Sequence, residues 1–396
     1  MRILVLSFYY APDLSAGSFR TTALIKALQE KNIDGLHIDV VTTLPNRYKT
    51  FSKTAPEYEN SDGLEIFRIK LPSHQSGMKD QIRAFFTYYR EARNIVANEN
   101  YDVVYATSSR LFTAFLGARI ANKKRLPLYL DIRDIFVDTI KDVLSPKVAL
   151  LVKPVFSAIE KYTFRRAKRI NLVSRGFKQY FEQRYPKTEY RWYTNGIDKE
   201  FLDIKPIQEA DTKQPKMLQV TYAGNLGEGQ GLHKILPQLA KMLEGRVEFN
   251  IIGDGGRKVQ LEDELTSNGV INVKMLPPVN RSELIAIYQK SDILFLHLND
   301  YPAFKKVLPS KIFEYAAMGK PVWAGVSGYA AEFLNAEVEN AAVFEPGNHQ
   351  QALQLLDSLD IMLTKREGFI AKYSRKNIMT KMAEDLVDFS SRGVKL

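Results

Sequence analysis

The chain has no cysteine among its 396 residues, which excludes disulfides, thiolate nucleophiles and cysteine-ligated zinc. Its five histidines are scattered, with no His-Glu-x-x-His or similar ligand spacing. Asp-x-Asp is also missing, so the pattern commonly used to hold a divalent ion against a sugar diphosphate is absent and no metal is expected. No apolar run approaches the ~20 residues needed to span a bilayer. The opening Met-Arg-Ile-Leu-Val-Leu-Ser-Phe is too short for a signal peptide and runs straight into a turn. It is expected to be a first strand instead.

What is present fits a folded soluble chain: 45% hydrophobic and 26% charged residues. The length calls for two domains rather than one core. The net charge of +11 is unevenly placed. Residues 1–198 carry 32 Lys+Arg against 20 Asp+Glu, a balance of +12, and residues 199–396 carry 24 against 25, a balance of −1. An excess confined to one half points to an anionic partner for that half: a membrane surface, a phosphorylated lipid or a nucleic acid.

Strand-like apolar runs alternate with helical patterns, the signature of parallel α/β layers. In the first half, residues 3–8, 38–42, 103–106, 127–131 and 169–173 read as strands, and 21–30, 80–98 and 156–166 as helices. The pattern restarts with strands at 219–223, 248–252, 270–275, 293–298 and 321–324. Between them, residues 195–215 hold Asn195-Gly196, Pro206, Pro215 and scattered charges, which reads as a connection between domains. Ligands of open parallel sheets bind beyond the carboxyl ends of the strands, so two such domains favour an enzyme with one pocket shared by facing sheets.

The most informative segment is residues 309–315, Pro-Ser-Lys-Ile-Phe-Glu-Tyr, stopped by Gly319 and Pro321. Ser310 is expected to cap a short helix. Lys311 then falls in the first turn, where the helix dipole disfavours a cation unless an anion such as a phosphate sits there too. Glu314, three residues on, faces the same side and suits sugar hydroxyls. A solvated Lys–Glu pair on a surface helix is the alternative. After the strand at 219–223, glycines 224, 227, 229 and 231 fit a loop closing on a diphosphate, or simply a flexible turn. Ile251-Ile252-Gly253-Asp254-Gly255-Gly256 repeats that logic without the Gly-x-Gly-x-x-Gly spacing of a dinucleotide site.

In the first half, Gly17 lies in a loop leading into a helix, from which Arg20 could reach a ligand. Asp131, Arg133 and Asp134 place charges where a buried strand should end. Arg133 could support a phosphate and either aspartate could orient an acceptor hydroxyl, or the group could brace a wall. Two basic, aromatic-rich stretches remain. Residues 79–93 combine Lys79, Arg83, Arg90 and Arg93 with Phe85, Phe86, Tyr88 and Tyr89. Residues 147–169 mix Val148, Leu150, Leu151, Val152, Val155 and Phe156 with Lys147, Lys153, Lys161, Arg165, Arg166, Lys168 and Arg169. Each is either a helix lying on an anionic bilayer or a solvated face over a core stripe; the charge excess favours the bilayer.

Together these pieces resemble glycosyltransferase family 4, whose GT-B fold pairs two Rossmann-like domains across a cleft. The resemblance rests on Gly224-Asn225-Leu226-Gly227, Gln230-Gly231-Leu232, Arg133-Asp134-Ile135, residues 194–198 (Thr-Asn-Gly-Ile-Asp) and the segment at 309–315. It is similar to the bacterial O-antigen and capsule transferases of the N-acetylfucosamine type. The resemblance implies an N-terminal acceptor domain over 1–195, a C-terminal nucleotide-sugar domain over 196–372 and a helix over 373–396 returning to the first. It implies retaining, metal-independent transfer from a nucleotide sugar, expected to be UDP-linked, to a polyprenyl-diphosphate-linked saccharide. It also implies a peripheral site on the inner face of a bacterial cytoplasmic membrane, with an anionic membrane surface and no nucleic acid as partner.

On that resemblance Gly17, Gly224, Asn225, Gly227, Gln230, Asp254, Gly255, Ser310 and Glu314 are donor-binding candidates. Arg20 and Asp131 are acceptor-binding candidates, and Lys311, Arg133 and Asp134 catalytic ones. Three departures bear on these roles. Of the family's Glu-x7-Glu pair only the second member is present, as Glu314, with Lys306 in the first place. The Arg and Lys that hold the donor diphosphate are replaced by Asn225 and Gln230, and Arg133 stands where His is common. Lys311 is therefore expected to be the principal cation of the phosphate site. A nucleotide-sugar 2-epimerase of the same fold and a non-enzymatic membrane-binding module are the alternatives.

Overall fold

The computed structural model describes residues 1–13, 15–45, 54–72, 78–108, 111–137, 146–202 and 217–393. Residues 203–215 of the expected connection lie outside them, as do the side chains of Lys79, Lys147, Val148, Leu150 and Leu151. The chain divides into two compact units: residues 1–195 with 375–396, and residues 196–374.

The first unit runs β1 (Arg2–Leu6), α1 (Ala16–Gln29), β2 (His37–Thr43), β3 (Tyr58–Ser61), β4 (Leu64–Ile69), α2 (Met78–Ile95), β5 (Val103–Thr107), α3 (Leu111–Lys124), β6 (Leu128–Ile132), α4 (Pro146–Arg166), β7 (Arg169–Leu172), α5 (Lys178–Arg184) and β8 (Glu189–Arg191). Its sheet has the order β3-β4-β2-β1-β5-β6-β7-β8. Every neighbouring pair is parallel except β3–β4. The central strands are apolar along their whole length because helices cover both faces of a parallel sheet, and Ile3 to Leu6 and Val103 to Ala106 are fully buried. Helix α3 lies flush on β5: a Cβ on Gly117 would come within 2.6 Å of the Ala106 Cβ.

The second unit runs β9 (Leu218–Asn225), α6 (Leu232–Met242), β10 (Val247–Asp254), α7 (Lys258–Ser267), β11 (Val273–Leu276), α8 (Arg281–Lys290), β12 (Ile293–His297), α9 (Lys311–Ala317), β13 (Val322–Gly325), α10 (Tyr329–Glu337), β14 (Ala341–Phe344), α11 (His349–Leu356) and α12 (Glu367–Tyr373). Its strands are all parallel in the order β11-β10-β9-β12-β13-β14. That is the doubly wound order, with its reversal between β9 and β12. The core gathers Val220, Leu236, Phe249, Ile251, Phe295 and Trp323 around the sheet.

The strand expected at 270–275 begins only at Val273. The Val270 N–H is used to close α7 on the Leu265 carbonyl at 3.0 Å, and Asn272 donates to the Ala240 and Val247 carbonyls. Where the chain enters and leaves this unit the two segments are tied, the Ile197 N–H donating to the Tyr373 carbonyl at 2.8 Å. The last helix, α13 (Arg375–Gly393), belongs to the first unit. Its Asp385 accepts from Tyr129, Arg169 and Arg191 at 2.8–2.9 Å, which pins it to β6, β7 and β8.

Candidate functional site

In the second unit the strand order reverses between the neighbouring strands β9 and β12, the place where a doubly wound sheet characteristically binds ligands at the carboxyl ends of its strands. Gly224 and Asn225 end β9 and residues 226–231 follow it, and α9 enters after β12. Lys311, first residue of α9, crosses this position. A Cβ on Gly224 would lie 2.4 Å from the Lys311 Cε and 2.9 Å from its Nζ, so the lysine stem rests where only glycine leaves room. The ammonium stands 5.9 Å from the Tyr222 ring centroid. Burial lowers the Lys311 pKa; Glu314 acts against that and Arg281 with it. A cation held under such conditions is stabilised by any anion that arrives.

Helix α9 supplies two further groups to the same strand end. The Tyr315 hydroxyl accepts from the Ala223 N–H at 3.3 Å, and Glu314 is half-buried with Arg281 of α8 3.8 Å away. Arg281 also pairs with Asp198 and lies over the Phe201 ring at 4.7 Å. Nothing in the local sequence singles Arg281 out. Ser310 is a correction to the expected cap: its backbone is already helical (φ −61°, ψ −25°) and its side chain makes no capping bond. The first helical bonds begin earlier instead, with Ile312 N–H on the Pro309 carbonyl and Phe313 N–H on that of Ser310.

The glycine loop is braced by its own polar groups. Asn225 and Gln230 bond each other, Nδ2 to Oε1 at 2.8 Å, and Gly227 leaves room for that pair, since a Cβ there would come within 2.4 Å of the Asn225 Nδ2. Glu228 gathers Arg257 at 2.7 Å, Lys234 at 3.2 Å and the Tyr301 hydroxyl at 2.5 Å. Burial works against its charge, but Tyr301, Lys234 and Arg257 more than offset this and hold its pKa down at about 2. Below the loop, His297 is buried, with Nδ1 2.7 Å from the Gln230 carbonyl and Nε2 accepting from the Gly347 N–H. Those partners fix the neutral Nδ1–H tautomer, in keeping with a pKa that burial lowers to about 4. Asp254 turns its carboxylate onto the Gly255 N–H at 2.8 Å. Gly255 is needed where the chain passes the Leu226 carbonyl, 2.5 Å from where a Cβ would sit.

The first-unit candidates separate into two groups. Gly17 is buried in the first turn of α1, behind Ser15, which caps that helix by accepting from the Ser18 N–H. Arg20 and Asp131 correct the expectation of ligand-facing groups: their side chains are 1% and 0% exposed and pair with one another at 2.8 and 3.0 Å. Arg20 also donates to the Tyr193 and Thr194 carbonyls, and Asn171 donates to Asp131. Burial alone would raise the Asp131 pKa, but Arg20 and Asn171 lower it overall. This is a brace tying α1, β6 and β7 together. Arg133 and Asp134 follow β6, half-buried and exposed respectively. Burial and the nearby Arg20 lower the Arg133 pKa to about 10 despite Asp131 and Asp134. Among the described residues no cluster of His, Asp or Glu could hold a metal ion.

Comparison with known proteins adds three kinds of likeness. A 4-like glycosyl transferase domain matches residues 17–196, and a glycosyl transferases group 1 domain matches residues 203–372. An uncharacterized glycosyltransferase of Methanocaldococcus jannaschii is 22% identical over 97% of this chain and 95% of its own length. Anabaena HepE, solved in complex with UDP, has a TM-score of 0.63 at 18% identity, covering 98% of this chain and 100% of that one. WaaG, a glycosyltransferase involved in lipopolysaccharide biosynthesis, has a TM-score of 0.63 at 16% identity over 99% of this chain and 98% of its own.

Proposed function

Because the chain is a glycosyltransferase of GT-B fold, built from a 4-like domain and a group 1 domain, we propose that it moves a sugar from a UDP-linked donor to a lipid-linked saccharide with retention of configuration. The observation that carries this reading is the seat of Lys311 on Gly224 at the strand end, with Glu314 one turn further along the same helix. Such a pair provides a cation for a leaving diphosphate and a carboxylate for ribose hydroxyls. The UDP bound to the similarly folded HepE supports uracil as the base. The acceptor falls to the first unit, where Arg133 and Asp134 follow β6 at the carboxyl end of the sheet, while Arg20 and Asp131 pair with each other in the core.

The work assigned to this chain's residues is chiefly electrostatic. As the donor's glycosidic bond breaks, negative charge grows on the β-phosphate, and a preorganised ammonium at that point lowers the barrier. Retention is assigned to front-face attack, the leaving diphosphate taking the acceptor hydroxyl's proton. No protein nucleophile and no metal is required in this scheme. An acceptor in bacterial surface polysaccharide synthesis and a station on the inner face of the cytoplasmic membrane complete the proposal. N-acetylaminosugar donors are the first to try.

Thermal unfolding against a panel of nucleotide sugars tests the donor, since a bound donor stabilises the fold by mass action. A UDP-sugar that raises the midpoint, and UDP release that depends on a lipid-linked saccharide, are the expected results. Epimerised sugar formed from the donor alone would assign the protein to the 2-epimerases instead. No shift with any nucleotide sugar would remove the donor assignment.

A further inference from the structure

At the carboxyl end of the first unit's sheet the fold holds a cation in place with its hydrogen bonding incomplete. Arg133 follows β6, and the neighbouring strand fixes its backbone. Thr107 of β5 lies opposite Asp131 of β6, and the Ser108 N–H donates to the Asp131 carbonyl at 2.9 Å. The Ser108 hydroxyl in turn accepts from the Arg133 N–H at 2.8 Å. The Arg133 side chain is half-buried, and among the described residues its enclosed Nη1 meets no hydrogen-bond acceptor. An enclosed guanidinium N–H left in that condition is destabilising. Packing alone would be served better here by an uncharged side chain.

The charges around Arg133 do not supply the acceptor. Asp131, two residues earlier, is committed to Arg20 at 2.8 and 3.0 Å and to Asn171 at 2.8 Å. Asp134 is exposed. Arg375 brings a second guanidinium to the same place and is 4% exposed. Burial and Arg20 lower the Arg133 pKa, Asp131 and Asp134 act against them, and Arg375 lowers it further, to about 10. Arg375 is also the first residue of α13, a 19-residue helix with no acidic residue in its first turn. The positive end of that helix therefore adds to the field of the two guanidinium groups. An oxyanion arriving here would meet two arginines, a helix N-terminus and an Nη1 that lacks its acceptor.

We propose that Arg133 and Arg375 together bind an oxyanion carried by the acceptor sugar, so that the acceptor is an acidic saccharide unit rather than a neutral one. This deepens the proposed function and rests on its assignment of the acceptor to the first unit. The planar fork of a guanidinium suits carboxylate and phosphate alike, and a sugar can carry either: a uronate on the ring or a phosphate at the anomeric carbon. A purely structural role for Arg133 makes the opposite prediction for stability. A strut is lost when it is replaced, whereas a ligand group held without its ligand is relieved.

Thermal unfolding of the full chain in saturating UDP, at constant ionic strength, is the experiment, with methyl glucoside, methyl glucuronide or glucose 1-phosphate added as the second ligand. A further rise in midpoint is expected with methyl glucuronide or glucose 1-phosphate and not with methyl glucoside. Which acid acts identifies the source of the oxyanion. Arg133→Gln should weaken binding of that acid about tenfold or more, the loss expected for a hydrogen bond to a charged group, and Arg133→Lys should recover part of it. Without ligand, Arg133→Gln should unfold no earlier than wild type. The UDP shift belongs to the donor assignment and the acid shift to this one, so the two can fail separately. An equal response to all three sugars overturns the proposal, as does an acid shift that survives Arg133→Gln. So does an Arg133→Gln chain that unfolds earlier than wild type, since the residue would then be a strut.

Discussion

The close approach of Gly224 and Lys311 can be tested as a coupling rather than as two separate losses. Removing the ammonium with Lys311→Met takes away the cation that the proposed mechanism assigns to the leaving group. Loss of one preorganised electrostatic contact of this kind costs on the order of 10²–10³ in turnover, about 3–4 kcal/mol. Methionine leaves the stem's packing in place and removes a charge whose pKa burial already lowers, so the unfolding midpoint should hold or rise. Gly224→Ala leaves the charge but moves it. The new Cβ would lie 2.4 Å from the Lys311 Cε, and ordinary carbon contact begins near ~3.5 Å, so the stem must retreat by about 1 Å. A misplacement of that size costs about 10² in rate. Gly224 also has φ of 158°, where any L side chain adds roughly 1–3 kcal/mol of backbone strain, so turnover is compared below the variant's own unfolding midpoint. The deciding measurement is the double variant, assayed by UDP release from saturating donor and acceptor. If alanine acts by displacing the lysine, the pair loses no more than Lys311→Met alone. Independent effects would multiply to about 10⁴–10⁵, and that outcome would refute the assignment of Lys311 as the cation seated on Gly224.

The first unit's brace predicts a loss of a different kind. Arg20→Met strands Asp131 in the core and should destabilise by about 3–5 kcal/mol, lowering the unfolding midpoint on the order of 10 °C, with donor stabilisation unchanged in the variant that remains folded. His297 predicts acid lability. Its folded pKa of about 4 lies below the ordinary 6.5, so the native state binds fewer protons; stability is whole above about pH 6.5 and declines as pH falls toward 4. At pH 4.5 the loss reaches roughly 2–3 kcal/mol, and His297→Gln should remove that share from urea midpoints read on the buried Trp323.

The doubly wound halves were legible because parallel strands buried on both faces leave continuous apolar runs, and the expected strands at 103–106, 127–131, 219–223 and 248–252 lie within β5, β6, β9 and β10 apart from Pro127. Helix α3 escaped because Ala114, Gly117, Ala118 and Ala121 pack it flush on the sheet, and small residues give no amphipathic stripe to read. The β3–β4 hairpin escaped because β3, Tyr-Glu-Asn-Ser, is largely polar at a sheet edge. Arg20 was visible as a residue but not as a role: Asp131 is 111 residues away, and only the fold places a buried carboxylate opposite it. Arg281 is likewise tied to Glu314 only through the packing of α8 and α9.

The two neutral replacements in the glycine loop explain why the charge resides on α9. An arginine and a lysine at positions 225 and 230 would repel one another and need an anion between them to settle the loop. Asn225 and Gln230 instead satisfy each other at 2.8 Å, and Glu228 with Arg257, Lys234 and Tyr301 holds the following turn. The loop therefore has its shape before any ligand arrives, with His297 supporting the Gln230 carbonyl from below. A preformed neutral loop gives up part of the attraction for a diphosphate but requires no reorganisation on binding. On the proposed donor assignment the remaining attraction comes from a cation fixed beside the loop, the position of Lys311, seated on Gly224 and subject to the field of Arg281. Restoring one loop charge with Asn225→Arg would break the bond to Gln230, so tighter donor binding should be accompanied by a less stable loop rather than by faster turnover.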